Sequence, residues 1–267
     1  MKKKLNRTRI LAWAMPCFAT VLPLMAQSQI GGGICSSATL MGAYSVTLTG
    51  RALNSAVTYT SATEAVGSVT FDGLSQVTFT LTQNTASVNG AAQTLSGSYT
   101  LQANCIGALT ITSGDPASFT LEAYNTGKSF LITGQDAAYT FTGNGGTLPA
   151  TCPVGLTAGS YPFSGSGYGL ASATISSAFE IIGLVQFSGS NTISINASIV
   201  PGGPVKTLSA TGTYTLSPPG CSATASVTDG SGTAYALVLE FTSASGGNFI
   251  FSSASAASIY TGTGRPL

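Results

Sequence analysis

The side chains able to do chemistry are few. The 267 residues contain no histidine, so a serine nucleophile lacks its usual base, and no Gly-x-Ser-x-Gly elbow occurs. Ser-Lys chemistry would have to use Lys128 or Lys206, which read as turn or strand-edge lysines in unlike surroundings. Two carboxyls stand out, Glu122 and Glu240, because each follows a leucine, Leu121 and Leu239, in matching sequence. On a strand each faces away from its leucine, toward the hydroxyl-bearing side. Such a carboxyl is either a ligand-binding or general-acid group or a solvated strand residue. Acid–base work needs a second placed group, glycoside hydrolysis needs two carboxyls across one cleft, and the sparse acids offer no evident partner. Tyr44 and Tyr161, each closing a Gly-x-Tyr triplet, are either ligand-facing rings or structural tyrosines whose hydroxyls bond backbone. Gly165-Ser166-Gly167-Tyr168-Gly169 has the look of a phosphate-binding loop but no βαβ setting, and reads as a flexible hairpin. Without histidine, Cys-x-x-Cys or an Asp-x-Asp calcium loop, neither a metal nor a cofactor is expected.

The same residue types recur in order because the chain is two copies of one unit. Gly97-Ser98-Tyr99-Thr100-Leu101 ahead of Cys105 returns as Gly212-Thr213-Tyr214-Thr215-Leu216 ahead of Cys221. Gly42-Ala43-Tyr44 returns as Gly159-Ser160-Tyr161, and Gly67 to Gly73 as Gly183 to Gly189. The offset stays between 115 and 119, a period that means tandem domains and not a solenoid of short repeats. The predicted organisation is a leader over 1–28, a first β-domain over 35–146, a linker over 147–151 and a second β-domain over 152–264.

The leader expectation rests on Lys2, Lys3, Lys4, Arg7 and Arg9 before an apolar run to Leu24 and the small residues around Ala26 to Ser28. About 15 apolar residues broken by Pro16 and Pro23 fall short of the roughly 20 that span a bilayer. With the leader removed, Arg51, Lys128, Lys206 and Arg265 face eight acids, a net charge near −4. Four scattered cations cannot neutralise a run of phosphates, so no nucleic-acid partner is expected and anionic membrane surfaces are poor candidates. Export also predicts oxidised thiols. Each copy opens on a cysteine and carries its second 70 or 69 positions later, so repeat symmetry favours Cys35 with Cys105 and Cys152 with Cys221 among the three pairings that four cysteines allow.

Positioning falls to strands. Tyr44, Val46 and Leu48 alternate with Ser45, Thr47 and Thr49; Val77, Phe79 and Leu81 alternate with Thr78, Thr80 and Thr82; and Ile193, Ile195 and Ile199 keep the period in the second copy. This is the pattern of antiparallel strands with one buried face. Turn pairs such as Asp72-Gly73, Ser113-Gly114 and Asp229-Gly230 separate seven or eight strands per copy. An all-β fold follows, each copy closing as a small up-and-down barrel, with a β-sandwich as the alternative. The inward candidates are Tyr44, Phe71, Phe79, Tyr99, Phe119, Phe130 and Phe141, then Tyr161, Phe163, Phe187, Tyr214, Leu239 and Phe249.

The series Gly-x-Tyr, Phe-Asp-Gly and Gly-x-Tyr-Thr-Leu before a cysteine, carried by Gly42 to Tyr44, Phe71 to Gly73 and Gly97 to Cys105, resembles a repeat of uncharacterised secreted bacterial β-rich proteins. The resemblance implies an exported β-domain and transfers no activity. The functional expectation is an exported, secreted or surface-located non-enzymatic protein with a structural or adhesive role. The alternative is a binding module holding a small apolar ligand, a glycan or a surface polymer in a barrel lumen or on exposed aromatics. An integral membrane barrel is disfavoured, since no tryptophan remains for an interfacial girdle.

Overall fold

In a computed structural model the described residues are 34–53, 59–85, 88–152, 156, 158–172, 174–217, 221–244 and 246–266. The leader expected over 1–28 lies outside them.

Eight strands close the first barrel: β1 (Met41–Leu53), β2 (Tyr59–Asp72), β3 (Gln76–Thr85), β4 (Val88–Leu101), β5 (Ile106–Ser113), β6 (Ala117–Tyr124), β7 (Ser129–Gln135) and β8 (Thr140–Thr147). Eight more close the second: β9 (Gly159–Ala171), β10 (Thr174–Phe187), β11 (Thr192–Val200), β12 (Lys206–Ser217), β13 (Ser222–Asp229), β14 (Ala234–Phe241), β15 (Phe249–Ala254) and β16 (Ser258–Gly264). Each strand pairs antiparallel with its chain neighbours, and β8 returns to β1 as β16 returns to β9. The barrel expectation therefore holds over the sandwich.

Period-two alternation decides what fills each barrel. All the inward candidates are buried in one of two core clusters. Tyr44, Phe71 and Phe130 meet edge to face with centroids 5.5 to 5.7 Å apart, and their repeat counterparts Tyr161, Phe187 and Phe249 do the same at 5.6 to 6.3 Å. Such pairs add about 0.5–1.5 kcal/mol each beyond the area they bury. The second core leaves a void of about 10 Å³ between Val185, Leu237 and Phe251, at most the space of a single water. A ligand in the lumen, one form of the binding-module alternative, has no room there, because eight strands enclose only what side chains of this size fill. The apolar set points in and the hydroxyls point out.

One end of the first barrel is stoppered by the segment ahead of β1, 34–40. Leu40 and its counterpart Leu156 join the two cores. The Tyr99 hydroxyl donates to the carbonyls of Ser37 and Leu40 at 2.8 and 3.0 Å. The disulfide Cys35 to Cys105 holds that segment down, and Cys152 is bonded to Cys221 in the second copy, with Cα atoms 5.0 and 4.7 Å apart respectively. Both second cysteines have positive φ, 67° and 54°, and their carbonyls accept from the N–H groups of Ala123 and Phe241. The glycine of Gly-x-Tyr-Thr-Leu has a steric reason in each copy: a Cβ on Gly97 or Gly212 would strike the carbonyl oxygen of Thr110 or Ser226 on the next strand.

Candidate functional site

Polar side chains converge between the barrels. On β2, Ala65, Val69 and Phe71 point into the core, so Ala62, Glu64 and Val66 point outward, yet all three are buried. They are covered because β2 packs against β10, β14, β15 and β16 of the second barrel. One part of this seam is apolar, with Ala62 against Tyr168, Ala254 and Ile259 and the Arg51 guanidinium 5.3 Å from the Tyr168 ring centroid. Another part is polar. The Asn84 amide donates to Ser252 Oγ at 2.8 Å across the seam, and Asn84 stands in register with Glu64.

Glu64 is 1% exposed. Its Oε2 accepts from the Thr49 hydroxyl at 2.8 Å, and the Thr261 hydroxyl reaches it from the second barrel. Burial pushes the carboxyl up to about 8; the two hydroxyls and the charge of Arg51 pull it down by less. Glu240, 6% exposed on the outer face of β14, is likewise pushed up to about 8 by burial. Its Oε2 and the Asn84 Oδ1 have no hydrogen-bond partner among the described residues. Glu240 is in register with Ile250, two residues from Ser252 on the same face. Glu64 and Glu240 therefore border one seam, where burial favours the protonated form of both. Of the two, Glu64 is the one bonded across the seam, through Thr261.

The other candidates lie apart from it. Glu122 is half-buried on the outside of the first barrel, in register with Leu131 and Ile106. Tyr44 and Tyr161 stand inside the two cores, and the Tyr44 hydroxyl donates to the Gly127 carbonyl at 2.7 Å. A Cβ on Gly127 would collide with the Thr39 carbonyl, so this hydroxyl has its acceptor because the residue is glycine. Tyr124, Tyr139 and Tyr235 are half-buried. Alternation turns the rings of the two core clusters inward. Gly165 to Gly169 is no hairpin: it runs inside β9, where a Cβ on Gly165 or Gly167 would strike the carbonyl of Thr261 or Ile259 on β16.

Beside the seam the barrels diverge into a cleft of about 440 Å³. One wall is Thr47 and Asn144; the other is Ser164, Ser166, Glu180, Thr261 and Thr263, with Ile182 and Val200 at its rim. Its chemistry is hydrogen bonding by hydroxyls and one carboxyl, next to the Thr261 that holds Glu64. Sequence reasoning passed over a second acidic pair here. Glu64 and Glu180 are counterparts at an offset of 116, the offset of Gly67 and Gly183 three residues later. Each stands in register with a hydroxyl residue, Thr49 or Ser166. Aligning the copies from Gly67 backwards would have found it.

No protein-family model matches the chain, so the resemblance of its repeat to secreted β-rich proteins gains no support from that side. No curated protein matches it either. Solved structures give distant likenesses. Isotype 1 transferrin binding protein B of serogroup B Neisseria meningitidis is 8% identical over 86% of this chain and 77% of that chain, with a TM-score of 0.31. Intact Ap-TbpB with its N and C lobes is 8% identical over 89% and 77%, at 0.31. A protein with unknown function from the DUF3598 family of Nostoc punctiforme is 10% identical over 86% and 97%, at 0.28. At such identities and scores these likenesses say nothing of what this chain binds.

Proposed function

We propose that the chain is an exported, non-enzymatic protein with a structural or adhesive role at a surface, acting through the outsides of its barrels. The observation that carries this is the apolar cluster packed inside each barrel, which favours the outer faces for a partner. Those faces bear hydroxyls in register across strands: Thr70, Thr78 and Ser96; Ser68, Thr80 and Thr94; Thr120, Thr133 and Thr142. Neighbouring strands lie about 4.8 Å apart, so the rows form a periodic array suited to a repeating hydrogen-bonding polymer. The cleft between the barrels favours a second reading, a binding module for a short glycan segment, with Glu180 and Ser166 on its wall.

Cosedimentation of the leaderless chain with insoluble glycans, together with an assay for released sugars, tests both. Retention without product release is expected. Loss of retention in Thr80→Val/Thr94→Val assigns it to the hydroxyl rows, and loss in Glu180→Gln assigns it to the cleft. Release of new reducing ends, or a small apolar molecule leaving the protein on denaturation, would overturn the proposal.

A further inference from the structure

The two copies use equivalent surfaces unequally. In the first barrel Glu64, Val66 and Asn84 form an outer face of β2 and β3 that is buried in the seam. Their counterparts at the offset of 116 are Glu180, Ile182 and Val200 on β10 and β11, and register repeats the correspondence: Glu64 opposes Asn84 as Glu180 opposes Val200. Here the face is open, with Ile182 63% and Val200 44% exposed. The reverse holds on the opposing surface. Ile250 and Glu240 of the second barrel are buried, and their counterparts Leu131 and Glu122 in the first barrel are respectively 46% exposed and half-buried.

So each molecule carries one used and one unused copy of two complementary faces. The unused pair stays apolar at Ile182, Val200 and Leu131, with the exposed Leu184 beside Ile182 on the outer face of β10. Contact between unlike faces is heterologous and is not consumed by forming once: it repeats until a ring closes or a fibre grows. Within one chain the first barrel's β2 face has already taken the second barrel's β15 face. The free β10 face and the free β7 face therefore await another molecule.

We propose that a second copy of this chain docks its β7 face, centred on Leu131, onto the β10 face centred on Ile182, repeating between molecules the contact that joins the barrels within one. The leaderless chain, analysed by sedimentation velocity over a range of concentrations, should associate reversibly. Leu131→Asp and Ile182→Asp should each weaken association at least about tenfold, as loss of a central apolar contact does. Leu74→Asp, which charges an exposed leucine on neither face, should leave it unchanged. The two Asp variants mixed together should recover a one-to-one complex, because the first keeps an intact Ile182 face and the second an intact Leu131 face. Circular dichroism of each variant shows that the barrels persist. A wild-type chain monomeric at all concentrations, variants that associate like wild type, or failure of the mixture to form a pair would overturn the proposal.

Discussion

Raising the pH through 8 should loosen the molecule, and Glu64→Gln should remove much of that effect. Glu64 has an ordinary value of 4.5 and is pushed up to about 8 by burial; Glu240 stands the same way. A carboxyl whose value is higher folded than unfolded binds more protons in the folded state, so stability falls as pH rises between the two values and levels off above the higher one. The gap from 4.5 to about 8, at about 1.4 kcal/mol per pH unit, gives an upper figure of about 5 kcal/mol per group. Glutamine keeps the shape and needs no proton. At pH 5 the Glu64→Gln and Glu240→Gln variants should lie within about 1 kcal/mol of wild type. At pH 9 each should be more stable than wild type by several kcal/mol. Urea unfolding followed by tyrosine fluorescence at pH 5, 7 and 9 measures this. A wild-type midpoint that is flat from pH 5 to 9, or a Glu64→Gln midpoint that falls as steeply as wild type, would refute the claim that buried, protonated carboxyls hold the seam.

Two further outcomes follow from the cores. Cys35→Ser/Cys105→Ser opens a loop of 70 positions and should lower stability by about 4 kcal/mol in the chain-entropy account, measured as a shift in the urea midpoint that reducing agent, which opens both bridges, exceeds in wild type. Tyr44→Phe removes the hydroxyl that donates to Gly127; it should cost about 1–3 kcal/mol and leave retention on any glycan unchanged.

The duplication and the barrels are legible because period-two alternation and repeated spacing are local properties. Val77, Phe79 and Leu81 announce a buried face by themselves, and cysteines 70 and 69 positions apart in the two copies announce their pairing. The seam is not legible in this way. Alternation places Glu64 and Val66 outward, and outward normally means solvated; only a second barrel lying on that face turns them into buried groups. Glycine density misled at Gly165 to Gly169, where small residues admit a neighbouring strand's carbonyls and do not mark a turn. Glu122 and Glu240 are equivalent in sequence and unlike in structure for the same cause, since a neighbour covers one and not the other.

Closure of both sheets has a consequence for a chain with only 6% charged residues. Like-charge repulsion between such molecules is weak, and an open strand margin would invite irreversible fibrillar stacking through main-chain bonding. With β1 bonded to β8 and β9 bonded to β16, the described strands offer no such margin. Crowded at high density, these molecules meet only through side chains, and contacts of that kind can be undone.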